Sequence, residues 1–297
     1  MPGSKLPIYT AFAANLAIAV IKLTAAAITG SSAMVSEGIH SLVDSSNEVL
    51  LLIGLHKSKK APDQKRPFGY GKELYFWSFV VALLFFVLGG TMSVYEGIRH
   101  LIEPEKITSP VWNYIVLSLA LVFDGYSLYT AVRIFNQQRG STPFWQAIKV
   151  SKDPSSFVVL FEDMADVIGI LIAATGIILS HIFNNPYIDG IASILIGLLL
   201  MLVTIFLVRQ SRNLLMGESI SAEELNKLVP LIEHNQNVSS ADARLSMYLG
   251  PEEVILLIKI KFKNDLPSQK IVESIGSIRQ AIQAEHPDYK HIHFEPV

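Results

Sequence analysis

No cysteine occurs in the 297 residues. Disulfides, thiolate metal sites and cysteine nucleophiles are therefore excluded. A metal site in this chain must use histidine and carboxylate, with methionine as a weak donor. Charge is scarce too. Only 17% of the residues are Asp, Glu, Lys or Arg, against roughly 25% in a soluble domain. With 51% hydrophobic residues and a mean hydropathy of +0.40, the deficit points to a membrane protein. The net charge of −2 supplies no basic field for nucleic acid. Three reaction signatures are missing as well: the zinc-protease H-E-x-x-H, the hydrolase G-x-S-x-G and the phosphate-binding loop of ATP-driven pumps. The chain does not read as an enzyme.

What is present is a series of six apolar segments, near 8–28, 33–56, 72–101, 110–137, 155–183 and 187–210. Most contain stretches near the roughly 20 residues that cross about 30 Å of hydrocarbon. Segments two and five are interrupted by acidic and histidine residues, so they span only if those residues face inward. Lys5, an apolar run and Ala25-Ala26-Ala27 imitate a secretory signal. The run is long for one, and a second apolar segment follows almost at once. Basic residues cluster in the loop after segment two (Lys57, Lys59, Lys60, Lys65, Arg66), between segments four and five (Arg133, Arg139, Lys149, Lys152) and after segment six (Arg209, Arg212). The loops between one and two and between five and six carry none, and the loop between three and four is mixed, with Arg99 and Lys106 beside Glu103 and Glu105. The bias places both termini in the cytoplasm. With no long presequence in view, a bacterial inner membrane is the expected location.

From Glu218 the pattern changes. Glu223 to His234 is an amphipathic helix, a strand is expected near Val238 to Leu249, and Val254 to Lys263 alternates, with Ile258, Ile260 and Phe262 on one face and three lysines on the other. Ser268 to Glu285 has helical spacing and Tyr289 to Glu295 alternates again. The order αββαβ predicts a small α+β, ferredoxin-like domain. The expected division is a six-helix transmembrane domain over 1–215 and a cytoplasmic domain over 216–297.

The polar residues inside the apolar segments carry the chemistry. His40 and Asp44 are four apart in segment two, and Glu162 and Asp166 four apart in segment five. Each pair shares one helix face. Given the topology, each pair lies about 10–17 Å from its own end of its helix at 1.5 Å per residue, which brings both to mid-membrane. A mid-bilayer carboxylate costs at least about 2.5–3.5 kcal/mol, so three at one depth call for a cation or protons. Four N/O ligands suit tetrahedral zinc without excluding other metals. The plainer reading pairs each residue with a cation elsewhere in the bundle, Lys22 first, although one lysine cannot neutralise three carboxylates. Asn15 and Lys22 read as packing or pairing groups. Asp124 either lines the pathway or pairs with Lys22. Asn47 is placed to contact a hydrated ion, Asp163 points away from Glu162, and Asp189 reads as a helix cap.

The run Gly30-Ser31-Ser32-Ala33-Met34-Val35-Ser36-Glu37-Gly38-Ile39-His40-Ser41-Leu42-Val43-Asp44 resembles the second-helix signature of the cation diffusion facilitator family. Arg66-Pro67-Phe68-Gly69-Tyr70-Gly71-Lys72 is similar to the entry of the family's third helix, and His293-Phe294-Glu295-Pro296 to the close of its cytoplasmic domain. Ser151 to Ser155 with Leu160 to Asp163 looks most like the zinc-transporter-nine-like subgroup. The resemblance implies a homodimer of six-helix protomers embedded in lipid, exchanging Zn²⁺, or Mn²⁺, Fe²⁺ or Co²⁺, for protons. It places the transport site on His40, Asp44, Glu162 and Asp166. Glu162 stands where the family usually has His or Asp, which makes this set harder and shifts the balance toward Mn²⁺ or Fe²⁺. Arg66 and Tyr70 occupy the positions of a second, His-based site in some members. Ala241 and Lys259 do so for a binuclear cytoplasmic site, leaving His291, His293 and Glu295 on one strand face as metal ligands or plain surface. The expectation is a zinc exporter working by proton antiport. A manganese or iron transporter of the same fold, and a metal-sensing or scaffold membrane protein that moves no ion, are the alternatives.

Overall fold

The computed structural model describes residues 6–105, 107 and 109–297. Lys5 and Lys106, counted above among the basic residues, lie outside the described residues. The chain forms two compact units, Met1–Leu55 with Phe76–Ser211, and His56–Tyr75 with Arg212–Val297.

The first unit holds the six long helical spans. They are α1 (Leu6–Thr29), α2 (Ser32–Ser58), a span of α3 (Lys72–Leu84), a π-helical stretch (Phe85–Thr91) and α4 (Met92–Ile102), then α5 (Pro110–Arg139), α7 (Pro154–Phe183) and α8 (Tyr187–Met216). These match the six apolar segments within a few residues. The exception is α8, which runs six residues past the expected end at 210. Among the described residues four are long and apolar enough to cross a membrane: Lys72–Ile102, Pro110–Arg139, Pro154–Phe183 and Tyr187–Met216. Helix α2, at 27 residues, is shorter and more polar, and its polar residues Ser36, Glu37, His40, Ser45 and Asn47 are all buried inside the bundle. A short helix that hydropathy does not reveal, α6 (Phe144–Val150), precedes α7, with Phe144 set edge-on to Phe135 at 5.3 Å.

Local signals set the helix ends. Gly30 turns the chain between α1 and α2 at a φ of 72°, a left-handed conformation that glycine adopts without penalty. Asp153 caps α7, accepting from the Ser155 N–H at 3.0 Å, with Pro154 at the first helical position. Glycines also set how closely two spans approach. A Cβ on Gly97 would lie 2.7 Å from the Gly190 carbonyl and 2.8 Å from the Ile194 nitrogen, and one on Gly197 would lie 2.8 Å from the Gly90 carbonyl. Small residues one on another thus bring α4 and α8 into backbone contact, the usual way helices associate in lipid.

In the second unit, α9 (Ala222–Glu233) starts at a reciprocal capping box between Ser221 and Glu224. Strands β1 (Val238–Gly250), β2 (Glu253–Phe262) and β3 (His291–Pro296) follow, with α10 (Ser268–Glu285) between the last two. Strand β2 is central, antiparallel to β1 and parallel to β3, with Ile255 opposite His291. Val254, Leu256, Ile258 and Ile260 point into the core, so the αββαβ order and the buried face agree with the pattern. Strand β3 begins at His291 and not at Tyr289, which is buried and stacks on His286 at 4.6 Å. The basic loop after α2 belongs to this unit. Phe68 meets His291 edge-on at 5.4 Å. Asp63 accepts from the Tyr70 hydroxyl at 2.6 Å and the Arg66 N–H at 2.9 Å. The Tyr70 bond foremost, with these partners, holds the Asp63 carboxyl well below the usual carboxylate range.

Replacing Gly97 by Ala forces backbone, not a flexible side chain, to move. A loss of about 1–3 kcal/mol is expected, seen as a lower thermal midpoint of the detergent-solubilised protein; an unchanged midpoint would contradict the α4–α8 contact.

Candidate metal site in the helix bundle

Helix α2 turns His40 and Asp44 toward α7, and α7 turns Glu162 and Asp166 back. His40 Nε2 lies 2.7 Å from Asp166 Oδ1, and His40 Nδ1 lies 3.5 Å from Asp44 Oδ2. One ligand atom each from His40, Asp44 and Asp166 fall within 4.8 Å of one another, and no other such group occurs among the described residues. Both His40 ring nitrogens, both Asp44 oxygens and Asp166 Oδ1 are buried with no well-aligned hydrogen bond among the described residues. Unpartnered buried polar atoms are costly. Five of them converging from one imidazole and two carboxylates is the chemistry of a cation site. The π-helical stretch adds a wall: Phe85, fully buried, meets the His40 ring edge-on at 5.2 Å. A π-helical turn within a helix is frequent at functional sites.

Glu162 lies outside this group. Its Oε1 accepts from Asn47 Nδ2 at 2.8 Å, one helical turn from the other three. Asn47, expected near a hydrated ion, thus holds the third carboxylate of the set. A cavity of about 160 Å³ joins them, lined by six carboxylates: Asp44, Glu48, Asp124, Glu162, Asp163 and Asp166. So many acids around one low-dielectric space attract cations from its mouth. Asp163 points toward α5, accepting from Ser127 at 2.9 Å, and Glu48 accepts from Asn15 at 2.7 Å.

Lys22 forms no ion pair with the three carboxylates of the set. Its ammonium, fully buried, contacts Glu37 at 3.1 Å, Ser41 at 2.8 Å and Asp124 at 3.6 Å. Asp124 therefore both pairs with Lys22 and lines the cavity. Glu37 carries no signal by spacing, and its pairing became visible only in three dimensions. Gly169 on α7 makes room for it, since a Cβ there would collide with Glu37 Oε1. Asp189 is a helix cap as expected, but of another helix. It accepts from Ser31 Oγ at 2.7 Å and from the Ser32 N–H at 2.5 Å, at the start of α2. In the second unit, His291 contacts Glu253 at 3.0 Å and Glu295 pairs with Lys259 at 3.6 Å.

This bundle of long helical spans carries a His–Asp–Asp cluster between its second and fifth spans. The signature described as the cation efflux transmembrane domain matches residues 8–216, and the chain belongs to the cation diffusion facilitator family, on its zinc-transporter-nine-like side. It is 34% identical over 82% of its length to the human mitochondrial proton-coupled zinc antiporter SLC30A9. It is 29% identical over 92% of its length to metal tolerance protein C4 of Arabidopsis thaliana, and 27% identical over 96% to the manganese efflux system protein MneP of Bacillus subtilis. The chain spans 44% of the human antiporter, 60% of the plant protein and 94% of MneP.

The Lys22 arrangement makes a stability prediction. Lys22→Met strands Glu37 as an unpaired buried charge and should cost about 3–5 kcal/mol. The double variant Lys22→Met/Glu37→Gln should recover much of that loss in a thermal-unfolding cycle. Independent, additive effects would show that the pair is not coupled.

Proposed function

We propose that this protein exports a divalent metal ion, zinc foremost, in exchange for protons, through a site formed by His40, Asp44, Glu162 and Asp166. The observation that carries this reading is the convergence of buried His40, Asp44 and Asp166 ligand atoms within 4.8 Å, beside a cavity that Asp44 and Asp166 line with four further carboxylates. Glu162, a turn away on the same cavity, completes a four-ligand set by exchanging its Asn47 bond for the ion. Metal ligands must be deprotonated, so binding expels whatever protons the site carries, and metal release on the other side lets them return. Rocking of helices between inward- and outward-open states turns that competition into antiport. The name of the human relative, a proton-coupled zinc antiporter, supports both zinc and proton coupling.

The basic loop at Lys57–Arg66, with Arg209 and Arg212 in the last third of α8, supports a cytoplasmic side for both termini and the second unit. In this reading the membrane is a bacterial inner membrane, and the working unit is a homodimer. One observation favours a second metal: one imidazole with three carboxylates is a harder donor set than His₂Asp₂, which suits Mn²⁺ or Fe²⁺ better, and MneP is named for manganese efflux.

Two measurements decide these points. Asp44→Ala and Asp166→Ala should each cut metal-driven proton flux in liposomes by more than the roughly 10–100-fold that loss of a supporting partner costs; flux near wild type in both would remove the site. Across a panel of Zn²⁺, Mn²⁺, Fe²⁺ and Co²⁺, zinc should give the strongest response, and Mn²⁺ transport without a Zn²⁺ response would reverse the ranking.

A further inference from the structure

The site is not equally accessible along the bundle. Toward the end with the basic loop, the 160 Å³ cavity reaches Asn15, Glu48 and Val159, and the side chains of Asp44 and Asp166 keep 14% and 13% of their exposure. Toward the other end, Ala33, Met34, Ser36 and Glu37 on α2 and Ala173 and Ile177 on α7 are all fully buried. Beyond that closed layer lies a second cavity of about 200 Å³, lined by Ser32, Val35, Glu96, His100 and Glu103 among others. In the closed layer Glu37 ties α2 to Lys22 on α1, and two further sets of polar contacts join the start of α2 to α8. Asp189, fully buried, accepts from Ser31 Oγ, the Ser32 N–H, Ser32 Oγ at 3.0 Å and the Ala33 N–H at 3.4 Å. One turn deeper, Ser36 and Ser193 share a hydrogen bond of 2.5 Å, and Ser193 donates to the Ser93 carbonyl of α4 at 2.8 Å.

A cap supplied from within α2 would suffice to stabilise its first turn, and one is present: Ser31 Oγ accepts from the Met34 N–H at 3.2 Å. Asp189 comes from a different helix, so it fixes where α2 begins relative to α8. The carboxylate is met by helix-end N–H groups and hydroxyls, and the nearest cationic candidate among the described residues, His100 Nε2, is 3.9 Å away. These are bonds that form and break without separating a buried ion pair.

Building on the export reading, we propose that Asp189 is a positioning residue for transport: its bonds to Ser31, Ser32 and Ala33, with the Ser36–Ser193 bond, are the outer gate, closed in this structure. Opening it connects the metal site to the outer cavity.

The chain has no cysteine, so Ala173→Cys introduces a single thiol just inside the gate. A membrane-impermeant maleimide applied from the outer face should label this variant slowly. Adding Asp189→Ala should raise the labelling rate about tenfold, the effect of losing a charge-assisted bond, and adding Ser36→Ala with Ser193→Ala should raise it in the same direction. The serine pair decides the matter if Asp189→Ala does not fold. In Ser32→Cys/Asp189→Cys, oxidation to the disulfide should stop zinc flux and reduction restore it. Labelling unchanged in every gate variant that folds, or undiminished flux through the oxidised pair, overturns the proposal. Labelling needs no transport, so a wild-type protein that moves no metal would defeat the export reading while leaving the gate to be decided by the maleimide.

Discussion

The ammonium of Lys22 divides the carboxylates of the bundle into two groups. Glu37 and Asp124 sit against it at 3.1 and 3.6 Å, together with Ser41. Asp44 and Asp166 receive no such partner and are left with His40. Burying an unpaired carboxylate is expensive, and removing it from that state requires a proton, a cation or water. Because Lys22, the one buried lysine among the described residues, is already engaged, the remaining compensation for Asp44 and Asp166 is left to protons, water or a cation from outside the polypeptide. A second buried lysine near Asp166 would supply that compensation from within the bundle.

The rest of the first unit can be understood as support for that imbalance. Backbone contact between α4 and α8 at Gly97 and Gly190 leaves little freedom to one pair of spans. The π-helical stretch carries Phe85 onto the imidazole and fills the space beside it. Asn47 holds Glu162 a turn away, so that a third carboxylate does not crowd Asp44 and Asp166. Each of these keeps a charged cluster in a fixed place without neutralising it.

Much of this was legible in the chain. Six apolar stretches became six long spans, and the period change after Glu218 became the αββαβ unit, because hydrophobic periodicity is a local property. The spacing of His40 with Asp44 and of Glu162 with Asp166 put each pair on one face for the same reason. What stayed hidden depends on contacts between distant segments. Glu37 meets Lys22 fifteen residues away, Glu48 meets Asn15, and Asp189 caps a helix that begins 157 residues earlier; no spacing rule registers such pairs. The loop over His56–Tyr75 grouped with the carboxy-terminal residues for a similar reason, through contacts such as Phe68 with His291. The short helix α6 escaped because seven residues are too few to show a period.

Gly169 and Glu37 are, physically, one choice written at two places. The bare α-carbon at 169 exists to admit a carboxylate oxygen from the neighbouring helix. An alanine there is compatible only with a shorter or absent acid at 37, and a shorter acid at 37 leaves a gap that an alanine at 169 would fill. Among related chains the two positions should therefore drift together, glycine with glutamate and alanine with something smaller. Lys22 should follow as a third member of the same correlated set, since its charge has meaning only while that acid remains.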